Sequence, residues 1–213
     1  MRLASDAFRA LVAIVVALSV LGGPAFADEA LTRGRIEGDL ALVLGGGMVI
    51  APRAPRLECE ARIRYLDSAG VFVTYEDSAA FGSEPRRVLS AGVELRPLFL
   101  GRWLEGLEVD NARLDLFVDS FGLELGVAFS QPSGSAFGST RGLQIGLGLE
   151  LPLLPRATGP WVGIHGGVRW NQDAAAMGIV QNVDDREAYV ALTLAWHQLV
   201  GAHLVNLGDR FAR

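Results

Sequence analysis

The chain has 213 residues, half of them hydrophobic and a fifth charged, with 26 glycines, 19 arginines and no lysine. This length fits one domain, and the apolar content excludes a disordered chain. The single cysteine, Cys59, excludes a disulfide scaffold. The net charge of −5 makes nucleic acid a poor partner, because phosphate binding needs clustered cations.

Residues 1–27 have the three parts of a secretory signal peptide. Arg2 and Arg9 supply the positive start, Ala10–Leu21 is the apolar stretch, and Ala25–Ala27 is the small-x-small cleavage site. This stretch is too short to span a bilayer as a helix, which needs about 20 residues. We therefore predict export, which takes the net charge to −6; the alternative is a buried N-terminal helix.

After residue 28 the apolar residues recur with a period of two, which is the spacing of a half-buried β-strand. In Leu57–Leu66 apolar odd positions alternate with charged even positions, and in Gly142–Leu151 an aliphatic face opposes small and polar residues. Eight segments are predicted as strands: Gly38–Ile50, Leu57–Leu66, Val71–Glu76, Leu89–Arg96, Ala112–Ser130, Gly142–Leu151, Trp161–Trp170 and Tyr189–Trp196.

The connections between these segments alternate in length. The short ones are Asp67–Gly70 and Pro152–Gly159, and the longer ones are Asp77–Pro85, Gln131–Thr140 and Asn171–Asp185. Short turns at one end and longer loops at the other are typical of an outer-membrane barrel.

In one predicted strand, Ala112–Ser130, the alternation shifts by one residue near Ser120–Gly122, so the apolar residues before and after this point would lie on opposite faces. A β-bulge at Gly122 would add one residue and reverse the faces downstream. The alternative is a tight hairpin at this point, which would add strands to the sheet.

The segment Phe99–Asn111 is long for a turn. Its apolar residues have helical spacing, and they are Leu100, Trp103, Leu104 and Leu107. We expect a short helix that lies at a membrane interface.

All tryptophans and tyrosines lie at strand ends or in a connection. Tyr65, Trp103, Trp161 and Trp196 belong to the short-turn end, and Tyr75, Trp170 and Tyr189 belong to the long-loop end. Aromatic residues at both interfaces form the girdles of a membrane barrel, so the pattern favours a lipid-facing apolar side.

The polar faces of the predicted strands carry charges of both signs. Eight strands enclose an interior that side chains fill, so buried charges there must pair with one another. The predicted lumen network is Glu58, Glu60, Arg62, Arg64, Glu94, Arg96, Glu150, His165 and Arg169. Partners for the charges on the second strand are expected from neighbouring strands, with Glu94 and Arg96 the nearest candidates.

With this leader, alternation and aromatic placement, the sequence resembles the small outer-membrane β-barrel proteins of Gram-negative bacteria, the OmpA/OmpX/OmpW-like class. The resemblance implies an all-β fold, a single antiparallel up-and-down transmembrane β-barrel of eight strands. It implies a monomer in the bacterial outer membrane, with membrane lipids as its partners. We expect a signal peptide at 1–27, the barrel at 28–200 and a tail at 201–213.

The tail departs from this class, whose members end on a strand with a terminal aromatic residue. Gly201–Arg213 continues beyond the last predicted strand. Val200, Leu204, Leu207 and Phe211 are spaced by four, three and four residues, which suggests an amphipathic helix.

The sequence predicts no catalytic residue, no cofactor and no metal site. His165, His197 and His203 lack metal-ligand spacing, and His165 is interpreted as a satisfied interior polar group. Lipid A deacylases carry His-x-Ser on a lipid-facing strand, and no His-x-Ser occurs here. Cys59 lies on the apolar face, where a thiol is inert.

The leading hypothesis is therefore a non-enzymatic, porin-like integral outer-membrane barrel, with a charge-filled interior and a structural role or a narrow pore. One alternative is a barrel enzyme or binder that acts on envelope lipids, with His165 as its acid/base candidate. Another is a soluble periplasmic barrel that binds a small apolar ligand, since a half-exposed sheet alternates in the same way.

Overall fold

A computed structural model describes residues 39–53, 55–78, 85–107, 109–131, 134–171 and 186–202. The strands are β1 (Leu40–Ile50), β2 (Arg56–Tyr65), β3 (Ala69–Asp77), β4 (Arg87–Leu95), β5 (Gly122–Gln131), β6 (Thr140–Pro152), β7 (Gly159–Asn171) and β8 (Arg186–Val200). The helices are α1 (Pro97–Glu105) and α2 (Ala112–Asp119). Each strand pairs antiparallel with the next and β8 pairs with β1, which closes an up-and-down barrel of eight strands, as predicted.

The two ends of the barrel differ in their connections. The end that holds the start of β1 and the end of β8, called the terminus end, also carries the β2–β3 turn, the helical connection from β4 to β5, and the β6–β7 connection. The opposite end, called the loop end, carries the other four connections. The predicted leader and nearly all of the tail lie outside the described residues.

Side chains alternate between the two faces of every strand. In β6, Leu143, Ile145 and Leu147 point outward and are about half exposed, whereas Gln144 and Glu150 point inward and are buried. The outward aliphatic residues of the other strands are exposed as well, including Met48, Ile63, Val71, Val93, Leu125, Ile164 and Leu194. The barrel therefore has an apolar exterior.

The predicted β-bulge at Gly122 is wrong, and so is the alternative hairpin. Ala112–Asp119 forms helix α2, and β5 begins at Gly122. The Asn111 side chain caps the helix, because its oxygen accepts hydrogen bonds from the backbone N–H groups of Arg113 and Leu114 at 3.0 and 3.2 Å. The change of phase in the sequence is therefore a change from helix to strand.

The helix predicted within Phe99–Asn111 is present as α1. Pro97 lies in its first turn, where the missing N–H costs no hydrogen bond. Gly106 ends it with a left-handed backbone, φ 65°. In the part of the chain that the structure describes, no helix is both long and apolar enough to cross a membrane.

The predicted girdle position is wrong for two of the aromatic residues. Trp161 and Tyr189 point into the barrel and are almost fully buried, because each has the inward parity of its strand. Tyr65, Tyr75, Trp170 and Trp196 have outward parity and lie near strand ends.

We expect opposite effects from two Gly→Ala substitutions. At Gly47 in β1 a methyl group would overlap the carbonyl oxygen of Leu192 on β8, whereas at Gly101 in α1 nothing lies within 4 Å. Gly47→Ala should lower the free energy of unfolding by about 1–3 kcal/mol, as overpacking does. Gly101→Ala should raise it by up to about 1 kcal/mol, because alanine is the better helix former. Urea titration of the refolded protein in detergent, followed by tryptophan fluorescence, measures both. Equal effects would contradict the packing of β1 against β8.

Candidate functional site

The inward residues that line the lumen differ in size from strand to strand. Inward positions of β2 carry five buried charged residues in succession, Arg56, Glu58, Glu60, Arg62 and Arg64. Several inward positions on other strands are occupied by glycine, and large side chains of the adjacent strands fill the space beside these glycines. A Cβ at Gly45 would lie 2.7 Å from the carboxylate of Glu60, and one at Gly148 would lie 2.6 Å from Nδ1 of His165. Gly45 and Gly148 are the register partners of Glu60 and His165, so these glycines make room for large polar side chains on the adjacent strand.

Arg62 is the centre of the first group of ion pairs. Its Nε donates to Glu60 at 2.8 Å, and one terminal nitrogen donates to Glu94 at 3.0 Å and to Glu124 at 2.6 Å. The other terminal nitrogen lies 3.3 Å from Nδ1 of His165. One guanidinium thus joins side chains of β2, β4, β5 and β7 across the lumen.

Arg64 and Arg96 extend this group toward the terminus end. Arg64 donates to Glu94 and to Glu150, both at 3.0 Å. Arg96 donates to Asp67 at 3.0 Å and also contacts Glu94 and Glu150. We call the whole set the Arg62 cluster: Glu60, Arg62, Arg64, Asp67, Glu94, Arg96, Glu124, Glu150 and His165.

Both histidines of the lumen contact acidic groups. Nδ1 of His165 lies 3.0 Å from Glu124, and Nε2 of His197 lies 3.7 Å from Glu150. The His197 ring stacks on Trp161, with centroids 4.5 Å apart and planes within 7°. These contacts fix His165 inside the barrel, away from its outer surface.

A second group of ion pairs lies nearer the loop end. Arg56 donates to Glu76 at 2.7 Å and makes a two-point contact with Glu187 at 2.9 and 3.0 Å. Arg169 also binds Glu76, donates to Gln144 at 2.8 Å, and lies over the Tyr189 ring at 4.0 Å. This set, Arg56, Glu76, Gln144, Arg169, Glu187 and Tyr189, is the Arg169 cluster.

Helix α2 packs against the terminus end of the lumen. Its Leu116 is buried against Trp161 and Ala157. On the same helix, Asp115 and Asp119 bind Arg102 of α1 at 2.5 and 3.0 Å. The ion pairs between the two helices hold the apolar contact of Leu116 in place.

The structure brings seven of the nine predicted network residues into the Arg62 cluster: Glu60, Arg62, Arg64, Glu94, Arg96, Glu150 and His165. Arg169 belongs to the other cluster, and Glu58 is buried with one carboxylate oxygen that has no hydrogen-bond partner in the described part of the chain.

Sequence reasoning missed several members of both clusters. Glu76 and Glu124 have inward parity, and that signal was available in the sequence. Arg56 and Asp67 lie outside the predicted strands, so parity does not apply to them.

No metal centre is evident in the described ranges, since no group of three or more His, Cys, Asp or Glu side chains there could hold an ion. Cys59 is a free thiol on the outward face of β2 and is half-buried.

Removing Arg62 should be strongly destabilising, because Glu60, Glu94 and Glu124 would lose a shared buried partner. We expect Arg62→Met to lower the free energy of unfolding by about 3–5 kcal/mol, as for other broken buried ion pairs. The matched control is Arg113→Met on the exposed face of α2, which should change it little. Chemical denaturation in detergent measures both; a loss below about 1 kcal/mol for Arg62→Met would argue against a tight network.

No family model and no curated protein sequence matches the chain. Among solved structures, it is similar to the N-terminal β-barrel domain of Pseudomonas aeruginosa OprF, with a TM-score of 0.46 and 8% sequence identity. The match covers 76% of this chain and 99% of that domain. The assignment of a closed eight-stranded barrel rests on the strand pairing of this chain itself.

Proposed function

We propose that the chain is an integral outer-membrane β-barrel protein that serves as a structural element or a narrow pore. The observation that carries the proposal is the inverted polarity of the barrel. Leu125, Ile145 and Leu194 are half exposed on the outside, while Arg62 and Glu94 are buried inside. A soluble barrel has the reverse arrangement, and an apolar exterior of this extent marks a lipid or partner surface.

Strand geometry supports a membrane location. Every strand has two hydrogen-bonded neighbours, so the barrel has no open edge to expose unsatisfied backbone groups to lipid. The strands have 9 to 15 residues, and about 9–11 suffice to span a bilayer.

The connections support an orientation with the terminus end in the periplasm. The β2–β3 turn at that end is tight, as periplasmic turns of such barrels are. Export by a signal peptide at residues 1–27 is a proposal that rests on the sequence alone. The partners in this proposal are outer-membrane lipids, and the barrel acts as a monomer without a cofactor.

The lumen contacts support a closed barrel or a narrow pore in place of a wide channel. The Arg62 cluster crosses the lumen from β2 to β7, and Leu116 of α2 packs on Trp161 at the terminus end. Eight-stranded barrels leave an interior that side chains fill. A charge-filled interior is therefore the working hypothesis for this barrel.

The other two hypotheses have less support. His165 is enclosed by Arg62 and Glu124, so a lipid on the outer surface cannot reach it. A soluble barrel for a small apolar ligand needs an apolar interior, whereas the middle of this lumen holds buried carboxylates and guanidinium groups.

A charged residue placed on the outer face should separate the membrane and soluble proposals. Leu147 is 51% exposed near the middle of β6, so Leu147→Arg would cost little in water. In a bilayer it should cost about 2–4 kcal/mol, while Leu151→Arg, on the same face near the strand end, should cost about 0–1 kcal/mol. Reversible unfolding in phospholipid vesicles measures both. Equal small costs would contradict the membrane proposal.

Conductance in planar bilayers tests the closed lumen. The unchanged protein should give small or no channels, and Arg62→Ala with Glu94→Ala should raise the conductance, because both side chains cross the lumen. Arg113→Ala with Glu105→Ala, a neutral pair of changes on exposed helix positions, is the control and should have no effect. Large, stable channels from the unchanged protein would replace the structural role with that of a porin.

A further inference from the structure

The outward face of the barrel carries charge at one end only. Among outward positions of the described strands, the charged residues are Asp77, Arg87, Arg141 and Arg186, and all four lie at the loop end. Arg87 donates to Asp77 at 3.1 Å, so these two neutralise each other. Arg141 and Arg186 have no ion-pair partner among the residues that the structure describes. Within the described ranges, Arg141 and Arg186 are thus two positive charges at this rim that no ion pair compensates.

The strand register places these two arginines on either side of Trp170. Trp170 on β7 pairs with Arg186 on β8 and with Leu143 on β6, and Arg141 lies two residues before Leu143. With strands about 4.8 Å apart and a rise of about 3.4 Å per residue, the two arginine backbones are about 12 Å apart. Long side chains from such positions can reach the same ligand.

A cavity of about 180 Å³ opens at this end of the barrel. Among the residues that the structure describes, the lining includes Arg53, Arg141, Arg169 and Arg186, with Trp170 as an apolar wall and Glu187 as the one acidic residue. The carboxylate of Glu187 already accepts two hydrogen bonds from Arg56. Arg169 is ion-paired with Glu76 and Glu187, so among the described residues the positive charge available to a ligand comes from Arg141 and Arg186, in a chain whose net charge is −5.

The chemistry of this lining suits an oxyanion such as a phosphate group. The guanidinium group stays charged at any physiological pH, and its parallel N–H donors match two oxygens of a phosphate. Arg169 is held rigid by its contacts with Glu76 and Gln144, so the floor of the cavity is ordered before a ligand arrives. A preordered cationic cavity loses less entropy when it binds an anion.

We propose that the loop-end cavity binds a phosphate group, with Arg141 and Arg186 as its principal ligands. The phosphate could belong to the headgroup of a phosphorylated glycolipid in the outer leaflet, or it could be a free anion. The lipid source rests on the orientation proposed above, because only that orientation places the loop end at the outer leaflet. Binding of free phosphate does not depend on it.

The test is isothermal titration of the full chain, refolded in detergent, with three probes: inorganic phosphate, lipopolysaccharide, and the same lipopolysaccharide after enzymatic dephosphorylation. The variant is Arg141→Gln with Arg186→Gln. The control, Arg113→Gln with Arg156→Gln, removes the same charge from exposed positions on α2 and in the β6–β7 connection. Circular dichroism confirms that each variant retains its strands.

We expect the Arg141/Arg186 variant to bind at least tenfold more weakly, and the control to bind like the unchanged protein. Tight binding of lipopolysaccharide that dephosphorylation abolishes identifies the lipid source, and binding of inorganic phosphate alone identifies the free anion. Arg141→Lys with Arg186→Lys keeps the charge but loses the two-point geometry, so its affinity should be intermediate. Absence of saturable binding, or an equal loss in the control, would overturn the proposal. If only the lipopolysaccharide titration shows no binding, the proposed orientation is contradicted. The titration with inorganic phosphate then shows whether the cavity binds a phosphate group.

Discussion

The pairing of buried charges inside the closed barrel is the constraint on which the rest of this structure depends. Eight strands leave no wide water-filled space in which a charged side chain could be solvated. Each guanidinium must therefore find carboxylates on other strands, as Arg62 does with Glu94 and Glu124. Such pairs are stable only when most donors and acceptors are satisfied, because a buried charge that loses its partner keeps the full cost of desolvation.

The glycines follow from the same constraint. A large inward side chain needs space beside it, so the register partner on the adjacent strand is often a glycine, as for Glu60 and His165. Arg64, Gly70 and Glu94 are register partners on three successive strands. A Cβ at Gly70 would overlap the backbone of β2, and the absence of a side chain lets Arg64 reach Glu94 at 3.0 Å. Glycine has a low strand propensity, but in this barrel glycines at inward positions are required for the packing of the lumen.

Parity explains what could be predicted from the sequence. A strand places alternate residues on opposite faces, so the sequence alone predicts that Arg62 points inward and Leu147 points outward. Parity also identifies Trp161 and Tyr189 as inward residues, although their place near strand ends suggested girdles. It fails for Ala112–Asp119, because a short apolar segment alternates well enough to look like a strand, and only the Asn111 cap distinguishes it.

Pairing partners could be predicted only in part, since they depend on the stagger of the strands around the barrel: Glu94 does bind Arg62 and Arg64, as expected, whereas Arg96 binds Asp67, Glu94 and Glu150. Arg62 and Glu94 lie on strands that are not neighbours, and Glu124 reaches the same guanidinium from a third strand. Parity limits the candidates to inward residues but does not rank them. The two clusters are visible only after the barrel closes and brings β2 opposite β5 and β7.

The two ends of the lumen differ in a way that limits what can pass. At the terminus end, Leu116 and Trp161 make an apolar contact held by a helix connection. At the loop end, arginines line a cavity. Between them, the Arg62 cluster has five acidic residues against three arginines, so an anion drawn to the mouth meets an excess of negative charge further in. A cation is repelled at the mouth by the positive charge of these arginines. Because the barrier to each ion lies at a different depth, we expect neither to cross easily, which agrees with the proposed phosphate site at the loop end.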